Sequence, residues 1–461
     1  MHNHIQKLYI RNFRNFNETD IKFNKHFNFL IGHNGCGKTS VIAAIAQAIN
    51  TTTTSGEDTL SGLSAQSAIW LDIYEQNQEY RIGFGANTYK DKKNLNDYQY
   101  QIYKAPPAAE NRTTIDLTEK NNPLQTYCPL IIGANRHFNY KELQGMQKTK
   151  AKETRIKEKN NNAMQNLNST DRNHELKQWL VNTYFIIDKS WAATQKANWE
   201  HFVNYLPSLA PQNSNFRFVE IKADMEPKFS IYNRECYLEE LPAGFQAVLH
   251  ILSKILDWHD LNQHTNHHTP IAQAAGTVVI DELDVHLHPE WQLNIRNGLA
   301  QLFPNLQFIV TTHSPHLLAT AAENEIIDLS QTQHHTTIEP KNYAYYGWST
   351  DNILSDIMQV KSLENKAHLQ LIRQAHENIK DHNPKALQDT ITKLKQVCHP
   401  YDAIVQALEI KLITMRHTNN KHVPPEQLQA AITALEEILD PDDDIIQELK
   451  IRMINTQGVP A

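Results

Sequence analysis

Phe29-Leu30-Ile31-Gly32-His33-Asn34-Gly35-Cys36-Gly37-Lys38-Thr39-Ser40-Val41-Ile42-Ala43-Ala44-Ile45-Ala46 decides how this chain is read. The apolar triplet predicts a strand, Gly32–Thr39 fulfils GxxxxGK[ST] at every position, and the run from Ser40 predicts a helix. Strand, glycine loop and helix in that order make a phosphate cradle. Glycines let consecutive backbone N–H groups turn onto phosphate oxygens at the positive end of the following helix. Lys38 is expected to reach the β and γ phosphates, and the Thr39 hydroxyl to ligate Mg²⁺. Asn34, Gly35, Cys36, Gly37 and Ser40 complete the expected nucleotide contacts. A chance glycine-rich turn does not meet the full pattern in this context, so nucleotide binding follows.

Working outward, Leu8-Tyr9-Ile10 predicts a strand, and Asn12-Phe13-Arg14-Asn15-Phe16 stands between it and the loop. Ser67–Tyr74 and Tyr80–Phe84 predict a hairpin, residues 89–127 read as polar and loop-rich, and Cys128–Ala134 predicts a buried strand running into Asn135-Arg136. Arg136 could face the site, but a surface salt bridge is its default reading. Further on, Thr277–Ile280 predicts a buried strand ending in Asp281-Glu282, and Gln307–Thr312 another ending in His313. These supply what phosphoryl transfer still needs: Asp281 to hold Mg²⁺, Glu282 to orient or deprotonate the attacking water, and His313 to sense the γ-phosphate. Acids at a helix start are the bland reading of Asp281-Glu282. The phosphate loop outweighs it.

The set formed by Gly32–Thr39, Leu241-Pro242-Ala243-Gly244-Phe245-Gln246, Asp281-Glu282-Leu283-Asp284-Val285-His286-Leu287-His288-Pro289 and Thr311-Thr312-His313-Ser314-Pro315 resembles the RecF and SMC-related branch of ABC ATPases. The HLHP run is similar to that of the overcoming-lysogenisation and PtuA-like (Septu anti-phage) ATPases. The resemblance implies an α/β fold: an ABC-type P-loop ATPase head, a mixed sheet flanked by helices, with a helical insertion and an all-α C-terminal domain. It implies that Arg14 lies near the nucleotide and that Gly244 caps the γ-phosphate held by a second copy, making a homodimer or higher even-numbered oligomer with ATP and Mg²⁺ between the subunits. Ala243 stands where the signature usually has a small polar residue, which leaves the Gly244 backbone and the helix dipole to make that contact. No Q-loop glutamine is assigned. The partner implied is a separate effector nuclease of the HNH, PtuB-like type. The alternative is a RecF-like repair ATPase that binds DNA directly.

The expected domains are an N-terminal lobe over 1–140, a partly basic helical insertion over 141–215, a C-terminal lobe over 216–345 and an all-α accessory domain over 346–461. Within the insertion, Lys148, Lys150, Lys152, Arg155, Lys157 and Lys159 stand against two acids in 148–159. That segment is the local support for DNA contact, with a solvated charge run as the bland reading. Trp179, Trp191 and Trp199 are expected to pack a helical hairpin over about 173–205. Past residue 346, proline-separated helices are expected over 352–359, 362–380, 384–397, 400–416, 425–439 and 443–453. No strand-borne carboxylates follow there, so no nuclease site is expected in the chain itself. His259, His264, His267 and His268 read as a solvated connection, and Asp440–Asp444 as a helix start.

A formal charge of −7 over 461 residues excludes a protein that is basic all over. The four cysteines form no CxxC pair, which suggests neither a zinc site nor a disulfide framework. No apolar window is long enough for a membrane span, and the first residues lack a secretory signal, so a cytoplasmic location is expected. The insertion between the half-sites, the HLHP run and the long helical tail argue against a transporter motor.

Overall fold

The apolar runs on either side of the predicted site build a five-stranded parallel sheet. Its order is β14 (Ile326–Asp328), β3 (Phe27–Ile31), β13 (Leu306–Thr311), β12 (Gly276–Ile280) and β8 (Leu130–Ile132). All residues of β3, β12 and β13 are buried. Parallel strands covered on both faces have this character, and it explains why their sequences are apolar throughout rather than alternating. The structure is a computed structural model that describes residues 3–50, 67–85, 100–104, 113–115, 127–136, 174–262, 269–331, 336–360, 366–399 and 402–416, with isolated positions between 123 and 160 and between 429 and 451.

A second, mostly antiparallel sheet lies across α1 (Lys38–Ala48). Its order is β15 (Thr336–Ile338), β2 (Phe16–Lys22), β1 (His4–Phe13), β4 (Ala68–Glu75), β5 (Gln78–Gly85), β6 (Tyr100–Lys104) and β7 (Thr113–Ile115). Helix α1 is apolar on nearly every side because it is sandwiched. Val41, Ile42 and Ile45 share one core with Ile5, Leu8 and Ile10 of β1 and with Leu30, Val279 and Ile309 of the parallel sheet. Each such fully buried aliphatic side chain contributes roughly 1.5–3 kcal/mol. Gln307 fastens the two sheets through polar contacts within this apolar layer: its amide accepts from Ile5 N at 2.8 Å and donates to Ile5 O at 2.7 Å.

The hairpin read from Ser67–Phe84 is β4–β5, turned by Gln76 and Asn77 at positive φ. The expectation of loop over 89–127 is corrected by β6 and β7. They are short strands at one end of the sheet, β6 pairing to β5 and β7 to β6, and that pairing supplies what their own weak pattern does not.

Helices α2 (His174–Tyr184), α3 (Ala193–Tyr205), α4 (Ala243–Asn262) and α5 (Pro289–Leu302) contribute to the core on the other face of the parallel sheet. A small antiparallel sheet of β9 (Arg217–Ile221), β10 (Pro227–Ile231) and β11 (Arg234–Tyr237) adds to the same core. Trp179 and Trp199 pack there at 6.1 Å, as expected. Trp191 does not: it sits in the turn between α2 and α3 and is 66% exposed, because helical spacing stops at the turn. A four-residue helix, α6 (Pro315–Leu318), follows β13.

The chain divides into two compact units, Met1–Gln359 and Val360–Ala461. The second contains α7 (Lys366–Lys380), α8 (Pro384–Val397) and α9 (Ala403–Arg416) around their own apolar core. Helix α8 starts with Pro384 at its first position and the Asn383 side chain accepting from Ala386 N at 3.1 Å, as a proline-led helix requires. The basic residues of 148–159, His264, His267, His268, Asp440–Asp444 and most of the last two expected helices lie outside the described residues.

Candidate functional site

The C-terminal ends of β3, β12 and β13 meet at one edge of the parallel sheet, where ligands bind in folds of this kind. After β3, residues 32–37 turn into α1. Gly37 caps the helix at φ 109, and a Cβ there would stand 2.7 Å from the Phe16 ring, so only glycine fits. Asn34, Gly35 and Thr39 are exposed on the loop, whereas Cys36, Lys38 and Ser40 are buried. The Lys38 ammonium is folded onto the loop, donating to Gly32 O at 2.8 Å and His33 O at 3.2 Å. Burial pushes the Cys36 thiol up, against the opposing pull of Lys38.

Arg14 lies on the turn between β1 and β2, at φ 50. Its neighbour Asn15 donates from Nδ2 to Gly35 O, which sets that turn against the phosphate loop. Partial burial lowers the Arg14 pKa from its ordinary value.

Asp281 is buried at the end of β12, and its carboxylate oxygens are 3.4 and 3.5 Å from the Thr39 hydroxyl. Thr311 fixes this corner with one hydroxyl: it donates to Asp281 Oδ1 at 2.6 Å and accepts from Glu282 N at 2.7 Å. Glu282 itself is half-buried at φ 50, a left-handed backbone that glutamate seldom adopts. His313 is exposed after β13, with its backbone N–H 3.4 Å from Asp284 Oδ1. The same Asp284 oxygen accepts from Thr312 Oγ1 at 2.5 Å.

The HLHP run has a structural explanation. His288 caps α5, Pro289 takes the first helical position, and Gln292 in the first turn accepts from Ser314 Oγ at 2.6 Å. The signature-like segment opens α4, a 20-residue helix. Gly244 is half-exposed near its start, and a Cβ there would come 3.0 Å from His286 O. Gln246 folds back to donate to Leu241 O at 2.8 Å, holding the entry into the helix.

Arg136 is placed differently from the expected surface salt bridge. It is 1% exposed, and its guanidinium donates to the carbonyl oxygens of Asp281, Glu282 (3.0 Å) and Leu283 (3.4 Å). Nothing in the local sequence marks these partners, because they are backbone atoms far along the chain. Burial lowers the Arg136 pKa to about 10, while Asp281, Asp284 and Glu282 pull it upward, so the group stays cationic at neutral pH. Thr311 and Asp284 were likewise legible only as parts of motifs, without their roles.

The donor set fits a nucleotide with Mg²⁺. A lysine ammonium resting on loop carbonyls is already at the phosphate cradle, and a hydroxyl facing a buried carboxylate offers the hard oxygen ligands that Mg²⁺ takes. Among the described residues, no helix is long and apolar enough to cross a membrane.

Comparison with known proteins agrees with this geometry. A family profile described as AAA ATPase domain matches residues 4–257 and 86–318, two overlapping segments that together span more than half of the chain. The Septu protein PtuA of Bacillus thuringiensis is 22% identical over 415 residues, covering 88% of this chain and 97% of that protein. The Septu protein PtuA of Bacillus mycoides is 24% identical over 417 residues, covering 85% of this chain but 51% of that longer protein. Among solved structures, the SMC head domain from Thermotoga maritima aligns with a TM-score of 0.42 at 15% identity, covering 73% of this chain and 98% of that one. The resemblance read from the motifs therefore extends, in sequence, along most of the chain.

Proposed function

Since this chain belongs to the AAA ATPase domain family, we propose that it binds and hydrolyses ATP at composite sites between two copies of itself and thereby controls a separate effector nuclease in anti-phage defence. The observation that carries the chemical part is the Thr39 hydroxyl facing the Asp281 carboxylate at 3.4 Å, with Glu282 next in sequence. The biological part draws on the relatives named Septu PtuA.

ATP enters with its β and γ phosphates in the loop 32–39. Lys38 exchanges the Gly32 and His33 carbonyls for phosphate oxygens, a charge-assisted replacement for neutral hydrogen bonds. Thr39 and Asp281 would hold Mg²⁺, which would supply charge neutralisation for the phosphates. Glu282 orients a water in line with the γ-phosphorus and accepts its proton as the new P–O bond forms and the bond to the β–γ bridging oxygen breaks. Thr311 keeps the Glu282 backbone in register with Asp281 during this step. His313 approaches the γ-phosphate from the side. The start of α4, with Gly244, presents backbone N–H groups and the positive end of the helix dipole to the γ-phosphate held by the other copy. ATP thus joins the two subunits, and hydrolysis releases them.

The direct test is Glu282→Gln in the full chain. It should bind ATP, lose turnover by roughly 100-fold or more, and accumulate as an ATP-dependent dimer in size-exclusion chromatography. Unchanged turnover would assign the water to another residue. For the biological part, affinity purification of the chain expressed within its native operon should recover a nuclease. The chain alone, retained on DNA in a salt-sensitive manner, would favour the repair reading instead.

A further inference from the structure

The second compact unit gathers three metal-competent side chains from separate places in the sequence. His368 lies in the first turn of α7, Cys398 directly follows α8, and Asp402 directly precedes α9. One ligand atom from each (an imidazole nitrogen, the Cys398 sulfur and a carboxylate oxygen) lies within 4.8 Å of the other two, and all three residues are half-buried.

The surrounding backbone holds these groups in place. Cys398 N donates to Leu394 O at 2.8 Å, closing the end of α8. Asp402 N donates to His399 O at 2.9 Å, and Asp402 Oδ1 accepts from Val405 N at 3.0 Å at the start of α9. The Lys395–Glu409 ion pair ties α8 to α9, and Leu387, Ile391, Leu394, Val405 and Leu408 pack in the core beneath. The cluster therefore sits where the ends of three packed helices converge.

Thiolate, imidazole and carboxylate together are a zinc donor set. Mg²⁺ and Ca²⁺ prefer oxygen throughout, whereas zinc takes Cys, His and Asp at about 2.0–2.3 Å in a tetrahedron. Ligand atoms in such a tetrahedron are roughly 3.3–3.7 Å apart, against the 4.8 Å within which these three lie. We propose that His368, Cys398 and Asp402 bind one zinc ion, with water in the fourth position. Binding displaces the Cys398 thiol proton to solvent, and the ion then pins α7, α8 and α9 together at one end. The three ligands all belong to the second unit, and none is a residue assigned to the nucleotide site.

The test uses the full chain, stripped with chelator and titrated with Co²⁺ as a spectroscopic stand-in for zinc. A thiolate-to-cobalt charge-transfer band should appear and saturate at about one ion per chain, and added Zn²⁺ should bleach it. Cys398→Ser should remove the band, and His368→Ala should weaken ion binding by at least ~10-fold, both with unchanged helical circular dichroism. Absence of the band in the wild-type chain overturns the proposal. So does a band of full strength in Cys398→Ser, which would place the ion on another thiol. If the substitutions perturb folding, extended X-ray absorption of the zinc-loaded wild type decides: one sulfur in the shell is expected, and none overturns the site.

Discussion

The Arg136 guanidinium donates to the Glu282 carbonyl at 3.0 Å, and the nitrogen that does so also reaches the Asp281 carbonyl. Those carbonyls flank Glu282, which holds a left-handed backbone at φ 50. Such a conformation costs on the order of 1–3 kcal/mol and persists where surrounding contacts over-determine it. The rigid planar fork spans these carbonyls from separate nitrogens in a fixed geometry, which the compact ammonium of lysine does not reproduce. Arg136→Lys should therefore lower kcat for ATP by about 10–100-fold while leaving ATP affinity within ~3-fold, with a stability loss of about 1–3 kcal/mol. Steady-state kinetics beside equilibrium nucleotide binding separates the two. A matched fall in affinity and kcat would mean that Arg136 serves the fold generally and does not position Glu282.

Lys38→Ala removes the ammonium that now rests on Gly32 O and His33 O. Its loss should weaken ATP binding by about 100-fold or more, equivalent to roughly 2.7 kcal/mol. Isothermal titration with ATP and Mg²⁺ measures this, and wild-type affinity in the variant would sink the phosphate-loop assignment.

Gly244 separates a site made within one chain from a site made between two. Gly244→Asp should bind ATP within ~3-fold of wild type yet lose most turnover, because a carboxylate would meet the other copy's γ-phosphate. Gly244→Ala controls for the 3.0 Å approach of a Cβ to His286 O, which by itself disturbs only the turn after β12. The decisive measurement mixes Lys38→Ala with Gly244→Asp. In a two-fold dimer, one composite site then pairs an intact loop with an intact signature, so activity should reappear on mixing. No recovery would refute the shared site.

How far the sequence reached depended on where each residue's partners lie. The phosphate loop, with Lys38 and Thr39, was legible because its eight positions are contiguous and its chemistry is local. Asp281 and Glu282 were legible because an apolar strand ends in them. Arg136 was not: its partners are carbonyl oxygens about 145 residues away, and backbone atoms leave no mark in sequence. Strands β6 and β7 escaped because pairing, of β6 to β5 and of β7 to β6, rather than their own pattern, makes them strands. Trp191 shared its neighbours' spacing but fell on the turn between α2 and α3. Cysteine spacing suggested no metal, yet the fold brings Cys398 to His368, a residue on a different helix.

His250 gives the head a pH dependence of predictable sign. It is buried in α4, and its imidazole is held well below its ordinary pKa, first by burial and then by the nearby cations Lys254 and Arg136. Above about pH 6.5 the ring is neutral in both folded and unfolded chains and contributes no pH dependence. As pH falls through that value, the unfolded chain takes up a proton that the folded chain refuses. The unfolded state then binds more protons, so stability falls with falling pH, by up to about 1.4 kcal/mol per unit, until the folded pKa is reached. His250→Gln keeps a polar side chain but cannot titrate. Between about pH 7.5 and about pH 5.5 its Tm should therefore fall less than that of the wild type. Most carboxylates titrate below this window, so they add little to the difference. Parallel Tm curves for the two proteins would show that the ring takes up its proton as readily in the folded chain as in the unfolded one, contrary to its burial near Lys254 and Arg136.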